Sequence, residues 1–457
     1  MQRTDFGEEF KWGVSTAAYQ IEGAHDTDGK GPSIWDHFTS IKGKIADNHH
    51  ARHSGDFYNN YPGDIELLNT LSIPNFRFSI SWPRVMPGGV HFNRKGLDFY
   101  HRVIDACLEK NIEPWITLYH WDLPLALHRQ GGWENRDIVS WFAEYVYLCA
   151  REFGHKVKYW MVLNEPMVFT GAGYFLGIHA PGNKGLSKFL KAVHHATLAQ
   201  ARGGTILKKE LPQAMVGSTF SCSYLTPYSS SERDARAVVR ADALLNRLFI
   251  EPSLGLGYPI KDLPFLERIE KYFHANDEKR MYVDFDFIGI QNYTREVIKH
   301  SWLTPLIHAK IIPPAKRNVP GTVMNWEVYP ESIYQMIKKF SAYPGVKRIY
   351  VTENGAAFPD HVHGGKINDL ERISFLKNYL AQVLRAKNEA CPVEGYFVWT
   401  FTDNFEWAEG YHPRFGLVHV NFDTQERIIK NSGYWYQAFL QGKENIKFHP
   451  EPFLTSN

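Results

Sequence analysis

The sequence predicts an α/β protein, a single (β/α)₈ barrel domain with long βα loops that spans residues 1–457. Eight short apolar runs with the composition of buried strands recur along the chain. Helix-periodic segments separate them, and such strand–helix alternation indicates a parallel sheet. The chain is longer than the ~250–300 residues at which one core usually stops growing. Two domains are therefore the alternative to one barrel with long insertions.

The predicted strands are short runs rich in β-branched and aromatic residues. They occupy residues 10–20, 75–82, 113–122, 158–166, 214–224, 284–294, 348–355 and 394–404. The segments between them repeat apolar residues with the 3.6-residue period of a helix that packs on a core. These helices are expected near 62–72, 96–111, 137–154, 186–209, 232–250, 329–341, 369–389 and 431–441. Eight such units, with both sheet faces covered, favour a closed barrel.

A doubly wound open sheet is the competing architecture. That fold would be expected to carry a glycine-rich nucleotide loop early in the chain. The segment GAGYFLG (171–177) lacks the GxGxxG spacing, so the barrel is favoured.

Composition and charge limit the partners of this protein. The chain has 51 Lys and Arg against 49 Asp and Glu, a net charge of +2, and no basic run. Neither nucleic acid nor a membrane is therefore an expected partner. Aromatic residues make up 15% of the chain and include 13 Trp, which suits either a large core or a sugar-binding cleft.

The expected compartment is the cytoplasm. Met1 is followed by QRTDFGEEFKWG, which has no apolar signal-peptide core. The four cysteines are far apart and lack CxxC spacing, so they are interpreted as free buried thiols in a reducing cytosol. They are Cys107, Cys149, Cys222 and Cys391.

Polar side chains stand where the predicted strands end. The carboxyl ends of barrel strands meet around the active site of a (β/α)₈ enzyme. Two strands on nearly opposite sides end on a glutamate, Glu165 in KYWMVLNEP and Glu353 in RIYVTENG. Burying an unpaired carboxylate is costly, so both positions indicate a site. The other residues at the strand ends are mainly hydrogen-bonding side chains and Trp: Gln20, Glu22, Arg77, His120, Trp121, Asp122, Asn164, Gln291, Asn292, Tyr293, Asn354, Trp399, Glu406 and Trp407.

This set of side chains indicates a carbohydrate site. Two carboxylates that face each other across a sugar suit glycoside hydrolysis. One protonates the leaving oxygen, and the other attacks the anomeric carbon or activates water. The charge of Arg77 is expected to keep the nucleophile ionised. Burial and the charge of the other carboxylate are expected to keep Glu165 protonated.

The sequence resembles glycoside hydrolase family 1, the β-glucosidase family, from about Phe10 to about Gly442. Each motif alone is weak, but their joint order and spacing are specific. The motifs are TAAYQIEGA, RFSISWPRVMP, KGLDFYHRVID, LYHWDLP, GGW, LNEP, HAPG, TENG and NFEWAEGY…RFGLVHV.

The resemblance implies a retaining exo-β-glycosidase that hydrolyses terminal β-D-glucosyl residues. Glu353 matches the family nucleophile and Glu165 the acid/base. Arg77 and Tyr293 match groups that hold the nucleophile, and Asn164 matches the residue that binds the sugar 2-hydroxyl. The remaining matches are substrate contacts: Gln20, His120, Glu406 and Trp407 at the sugar hydroxyls, Trp399 under the ring, Trp326 at the leaving group, and Trp121 and Phe415 as further substrate-binding residues.

The resemblance implies no metal and no organic cofactor. It implies that the protein binds a small β-glycoside or a short oligosaccharide. Histidines at 49, 50 and 53 and at 194 and 195 lack metal-ligand spacing and are predicted to lie on the surface. One departure is visible after the sixth strand, where the family usually reads Asn-Tyr-Tyr and this chain reads Gln291-Asn292-Tyr293.

Two alternatives are weighed against the β-glucosidase. Members that act on 6-phospho-β-glycosides have Ser, Lys and Tyr where this chain has Glu406, Pro413 and Phe415, and a carboxylate at 406 would repel a phosphate. Non-catalytic sugar-binding members usually lose one catalytic glutamate, and both are present here. The sugar stays open among glucose, galactose and fucose, the leaving group depends on the loops at 169–186 and 295–330, and the protein is a monomer or a homo-oligomer.

Overall fold

The computed structural model describes residues 1–443 and confirms the (β/α)₈ barrel. Residues 444–457 of the predicted domain lie outside the described residues. Eight parallel strands form the closed barrel: Lys11–Ser15 (β1), Asn75–Ser79 (β2), Glu113–Tyr119 (β3), Tyr159–Asn164 (β4), Met215–Ser221 (β5), Phe287–Gln291 (β6), Ile349–Asn354 (β7) and Val393–Trp399 (β8). Strands consecutive in this numbering are hydrogen-bonded neighbours, and β1 also pairs with β8.

A long helix follows each barrel strand. These helices are Phe57–Thr70 (α1), Arg94–Glu109 (α2), Ile138–Phe153 (α3), Leu186–Glu210 (α4), Glu232–Asp242 (α5), Glu331–Ser341 (α6), Leu370–Asn388 (α7) and Asn431–Leu440 (α8). All eight match predicted helices, but the one expected near 232–250 ends at Asp242 and continues as the π-helix Ala243–Arg247. Shorter α-helices lie at Ala18–Ile21, Ile34–Thr39, Trp82–Val85, Leu125–Arg129, Pro166–Thr170, Ile250–Ser253 and Asp277–Arg280.

Small sheets in the long loops were not predicted. One has three strands, Tyr224–Pro227, Arg295–His300 and Ala309–Ile311, and joins the loops after β5 and β6. Two hairpins follow β7 and β8, Val362–His363 with Lys366–Ile367 and Val418–Val420 with Arg427–Ile429.

The two ends of the barrel interior contain different kinds of side chain. A buried cluster plugs the amino-terminal end and consists of Trp115, Tyr159, Met161, Phe287, Tyr350 and Phe397. Trp115 stacks on Tyr159 with ring centroids 3.7 Å apart. Gly13 makes room for this layer, because a Cβ there would lie 2.4 Å from the Phe397 ring. Polar side chains line the interior at the carboxyl end of the barrel strands, so that end can bind a hydrophilic ligand.

The predicted surface position of His194 and His195 is wrong. Both lie on α4 and are buried. His194 Nε2 lies 2.9 Å from Asp277 Oδ2, and His195 Nδ1 lies 2.9 Å from the Trp133 carbonyl oxygen. Helix α4 is covered by α3 and by the segments around Trp133 and Tyr258, so its histidines are satisfied core residues.

The predicted buried position of the four cysteines is confirmed, and all four are free thiols. Within residues 1–443, no helix combines the length and the apolarity that a bilayer crossing demands.

Candidate active site

The carboxyl ends of the barrel strands surround a cavity of about 280 Å³. Ten of the thirteen predicted site residues line it: His120, Trp121, Glu165, Tyr293, Trp326, Glu353, Trp399, Glu406, Trp407 and Phe415. The other three, Gln20, Arg77 and Asn164, are fully buried behind the lining and hydrogen-bond to residues on it.

Glu353 at the end of β7 is held by three donors. Arg77 Nη1 lies 2.5 Å and Gln291 Nε2 lies 2.7 Å from Glu353 Oε1. The Tyr293 hydroxyl donates to Glu353 Oε2 at 2.6 Å. Charge-assisted bonds of this kind fix the orientation of a carboxylate and favour its ionised form.

Asn164 at the end of β4 connects both sides of the barrel. Its Oδ1 accepts hydrogen bonds from Arg77 Nη2 at 2.5 Å, Gln291 Nε2 at 2.7 Å and Thr219 Oγ1 at 2.9 Å. Since Oδ1 is identified by these three donors, the group 3.0 Å from His120 Nε2 is the Asn164 amide nitrogen, a donor.

His120 is therefore neutral, with its proton on Nδ1 and its Nε2 accepting from Asn164. Burial and the charge of Arg77 hold the pKa of His120 well below its ordinary value. The imidazole can thus serve as a hydrogen-bonding group without adding charge to the site.

Glu165 follows β4 and caps the short helix Pro166–Thr170. Its backbone is left-handed, with φ 44° and ψ 62°, a conformation that non-glycine residues adopt rarely and at a cost. Pro166 starts the helix at once, and the Glu165 amide donates to the Thr219 carbonyl oxygen at 3.0 Å. This turn presents the Glu165 side chain to the cavity.

The two glutamates differ in their proton affinity. Burial and the charge of Glu353 raise the pKa of Glu165 well above its ordinary value. Burial also raises the pKa of Glu353, but Arg77 and Tyr293 counteract this increase. Arg77 thus acts in the expected direction without bringing the pKa of Glu353 down to the usual range. When the two glutamates together hold one proton, that proton resides on Glu165, because only Glu353 has a cationic partner.

A second group of predicted residues gathers around Glu406, after β8. Gln20 Nε2 donates to the Phe405 carbonyl at 2.9 Å and lies 3.4 Å from Glu406 Oε2. Gln20 lies on the helix Ala18–Ile21 and not on the predicted first strand, which ends at Ser15. The rings of Trp399 and Trp407 each stack on His120 with centroids 6.0 Å apart.

A third group is aromatic and lies across the cavity beside Tyr293. The Trp326 ring is 5.1 Å from Tyr293 and 6.1 Å from Phe415. The predicted residues are thus all brought together, with hydrogen-bonding groups around Glu406 and an aromatic wall at Trp326.

Sequence reasoning left four residues out of the site. Gln291 was named among the strand-end residues and as a departure from the family but received no role, yet it donates to both Asn164 and Glu353. Thr219 and Ser221 on β5 contact Asn164 and Glu165, and Glu296 lines the cavity from a loop strand. The position of Ser221 at a strand end was a usable signal, whereas nothing in the local sequence distinguishes Glu296.

A cluster of metal-ligand type lies outside the cavity and comprises Asp360, Asp403 and His419. Lys430 Nζ lies 2.5 Å from Asp360 Oδ2 and 2.8 Å from Asp403 Oδ1. The ammonium group therefore already occupies the place a cation would take.

The comparisons with known proteins agree with this geometry. The family model of glycosyl hydrolase family 1 matches residues 2–445. A 1,4-beta-D-glucan glucohydrolase of Thermotoga neapolitana is 42% identical over 95% of this chain and 98% of its own length. A 6-phospho-beta-galactosidase of Clostridium acetobutylicum is 32% identical over 97% and 98%.

Among solved structures, the beta-glucosidase of Thermotoga maritima in complex with azafagomine superimposes with a TM-score of 0.92. It is 40% identical, and the match covers 96% of this chain and 98% of that one. The chain belongs to glycosyl hydrolase family 1.

Proposed function

We propose that the protein is a retaining β-glucosidase in which Glu353 is the nucleophile and Glu165 the acid/base. The observation that carries this proposal is the unequal environment of the two buried glutamates. Glu353 accepts from Arg77, Tyr293 and Gln291, whereas the pKa of Glu165 is raised well above its ordinary value by burial and by Glu353. An ionised nucleophile beside a protonated acid is the starting state of glycoside cleavage with retention.

The reaction then has two steps. A Glu353 oxygen bonds to the anomeric carbon while the bond to the leaving oxygen breaks and Glu165 gives that oxygen its proton. The negative charge of Glu353 is lost in the ester, so the pKa of Glu165 falls and Glu165 becomes a base. It takes a proton from water, the water oxygen displaces Glu353, and the β-anomer of the sugar is released.

The group around Glu406 is assigned to the sugar itself. The Glu406 carboxyl group can form hydrogen bonds with two neighbouring hydroxyls in either protonation state, with Gln20 and His120 completing the set. Glucose is the sugar favoured by the relatives, which include a 1,4-beta-D-glucan glucohydrolase and a beta-glucosidase. The expected partner is a small β-glucoside or a short oligosaccharide.

The phosphorylated alternative is disfavoured by charge. Five glutamates and no Lys or Arg line the cavity among the described residues. A dianionic phosphate would lie near Glu406 without a cation to neutralise it, a costly arrangement in a buried site. The non-catalytic alternative is disfavoured because neither glutamate is replaced.

The stereochemistry of azide rescue tests the two roles. In Glu165→Ala, a dinitrophenyl glucoside loses its leaving group without protonation, and the glycosyl-enzyme accumulates because no base activates water. Azide needs no base and attacks from the face that the leaving group left, so the product is the β-glycosyl azide. In Glu353→Ala, azide occupies the space of the missing carboxylate and gives the α-glycosyl azide.

The anomer is read by NMR for both variants, with the unchanged enzyme in azide as the matched control. Reversed anomers would exchange the two roles, and no glucoside turnover by the unchanged enzyme would refute the glucosidase.

A further inference from the structure

We infer that Glu296 is a specificity residue for the leaving group, which selects a neutral sugar by accepting hydrogen bonds from its hydroxyls. This inference rests on the proposed function. Glu296 lies on the loop strand Arg295–His300, where it pairs with Leu225, and it lines the same cavity as Glu165 and Glu353.

Glu296 lies in the sector of the barrel that a leaving group must occupy. Glu165 protonates the leaving oxygen and follows β4, and the end of the next strand, β5, with the two residues after it contributes Ser221, Cys222 and Ser223 to the cavity lining. Strand β6 follows in the barrel, and its loop carries Thr294 and Glu296. The sugar-binding group of Gln20, His120 and Glu406 comes from β1, β3 and β8, on the other side.

Within residues 1–443 the Glu296 carboxyl makes no direct contact with a charged group, although the charge of Arg317 acts to lower its pKa. It forms no hydrogen bond and no salt bridge there, although it is half-buried. The neighbouring charges are already paired. Arg295 binds Glu327 through two bonds of 3.0 and 2.9 Å, and Arg317 lies 2.7 Å from the same carboxylate.

Such a carboxyl is costly unless a ligand contacts it. Burial raises the pKa of Glu296 to about 7. Both protonation states accept a hydrogen bond from a hydroxyl group, and Trp326, which lines the same cavity, offers a ring on which a sugar face can pack. An anionic leaving group would instead be repelled, because no Lys or Arg lines the described cavity.

The ratio of two substrates measures this role. We compare kcat/KM for a β-1,4-linked glucose disaccharide with kcat/KM for p-nitrophenyl β-glucoside, which share the sugar but differ in the leaving group. In Glu296→Ala the disaccharide-to-aryl ratio is expected to fall about 10- to 100-fold, the loss of hydrogen bonds to a carboxylate. Glu296→Gln keeps an acceptor and is expected to lower the ratio less. Glu232→Gln, an exposed glutamate on α5, is the matched control.

Transfer to an acceptor gives a second readout, because a sugar acceptor attacks the glycosyl-enzyme from the same subsite. Glu296→Ala should lower the fraction of glycosyl-enzyme captured by added glucose relative to water. An unchanged ratio in an active Glu296→Ala enzyme overturns the inference and leaves the glucosidase intact. If the wild-type enzyme hydrolyses neither the disaccharide nor the aryl glucoside, the proposed function itself is refuted.

Discussion

Gln291 illustrates how a single side chain extends the hydrogen-bond network of the site. Family members usually have Asn at this position, and Gln is longer by one methylene. Its Nε2 lies 2.7 Å from Asn164 Oδ1 and 2.7 Å from Glu353 Oε1. One amide thereby ties Asn164 of β4 to the proposed nucleophile of β7, and we propose that Gln291 is a positioning residue for Glu353.

Removal of this amide should weaken the nucleophile. Gln291→Ala is expected to lower kcat/KM for p-nitrophenyl β-glucoside by about 10- to 100-fold, the loss of one hydrogen bond to a charged group. The ionised form of Glu353 loses a donor, so its pKa should rise and the acidic limb of the pH profile of kcat/KM should move to higher pH.

Gln213→Ala, an exposed change of the same type, is the control. A lower rate with an unmoved acidic limb would contradict the positioning role and indicate a general structural loss.

At the scale of elements, the barrel was predictable because each strand carries its own signal. Strands β4, β6 and β7 are buried at every residue and consist mainly of apolar and β-branched residues, so they are recognisable as strands without their neighbours. Glu165 and Glu353 were found because they interrupt that pattern at a strand end. The signal of each strand and of the glutamate at its end lies within a few residues, so the local sequence suffices to predict both.

The loop sheets lacked such a signal. The strand Arg295–His300 is half-buried, and its partner Tyr224–Pro227 lies about 70 residues earlier, so their pairing depends on the barrel that brings β5 and β6 together. Glu296 belongs to this part of the fold and was missed for the same reason. The burial of His194 and His195 likewise depends on segments distant in sequence, among them Asp277 and Trp133.

A buried ion cluster anchors the loop that carries Glu406. Lys430, just before α8, is fully buried between Asp360 and Asp403. Burial acts to raise the pKa of Asp403, but Lys430, His419 and Arg414 together outweigh it, and the pKa stays well below its usual range. Asp403 also accepts from the Gly416 amide at 2.9 Å, which joins both ends of the loop.

Lys430→Met should remove the cation that lies closest to two buried carboxylates, Asp360 and Asp403. We expect a loss of about 3–5 kcal/mol in the free energy of unfolding, measured by chemical denaturation. Adding Asp403→Asn to this variant should recover part of the loss. Lys338→Met, which removes an exposed ion pair with Glu389, should change the midpoint far less. Equal effects of the two lysine substitutions would show that the cluster is not a stabilising element.

At the scale of the molecule, buried carboxyl groups make stability depend on pH. Burial raises the pKa of Asp122 to about 8, and burial together with Glu353 raises the pKa of Glu406 to about 8. A carboxyl whose pKa is higher in the folded state stabilises the fold fully below its unfolded pKa of about 4. That stability is lost as the pH rises through the folded value of about 8.

The melting temperature should therefore decline between pH 5 and pH 9, and Asp122→Asn should reduce the decline. Calorimetry of both proteins across this pH range measures the decline. Relative to its value at pH 5, the free energy of unfolding at pH 9 should fall by at least about 1 kcal/mol less in Asp122→Asn than in the protein without the substitution. Glu232→Gln serves as the exposed control. If the unchanged protein and Asp122→Asn lose stability in parallel, the Asp122 carboxyl does not contribute to the pH dependence.

The pairing of β1 with β8 has a consequence for biosynthesis. The ribosome completes β1 at Ser15, but β8 ends only at Trp399, almost 400 residues later. Until then the nascent sheet has two open edges, and open edges pair with strands of other chains. At about 5–20 residues per second, that interval lasts roughly 20–80 s. Nascent chains that neighbouring ribosomes make on one mRNA therefore expose open sheet edges to each other for most of their synthesis. The translation rate is thus expected to influence the yield of folded protein.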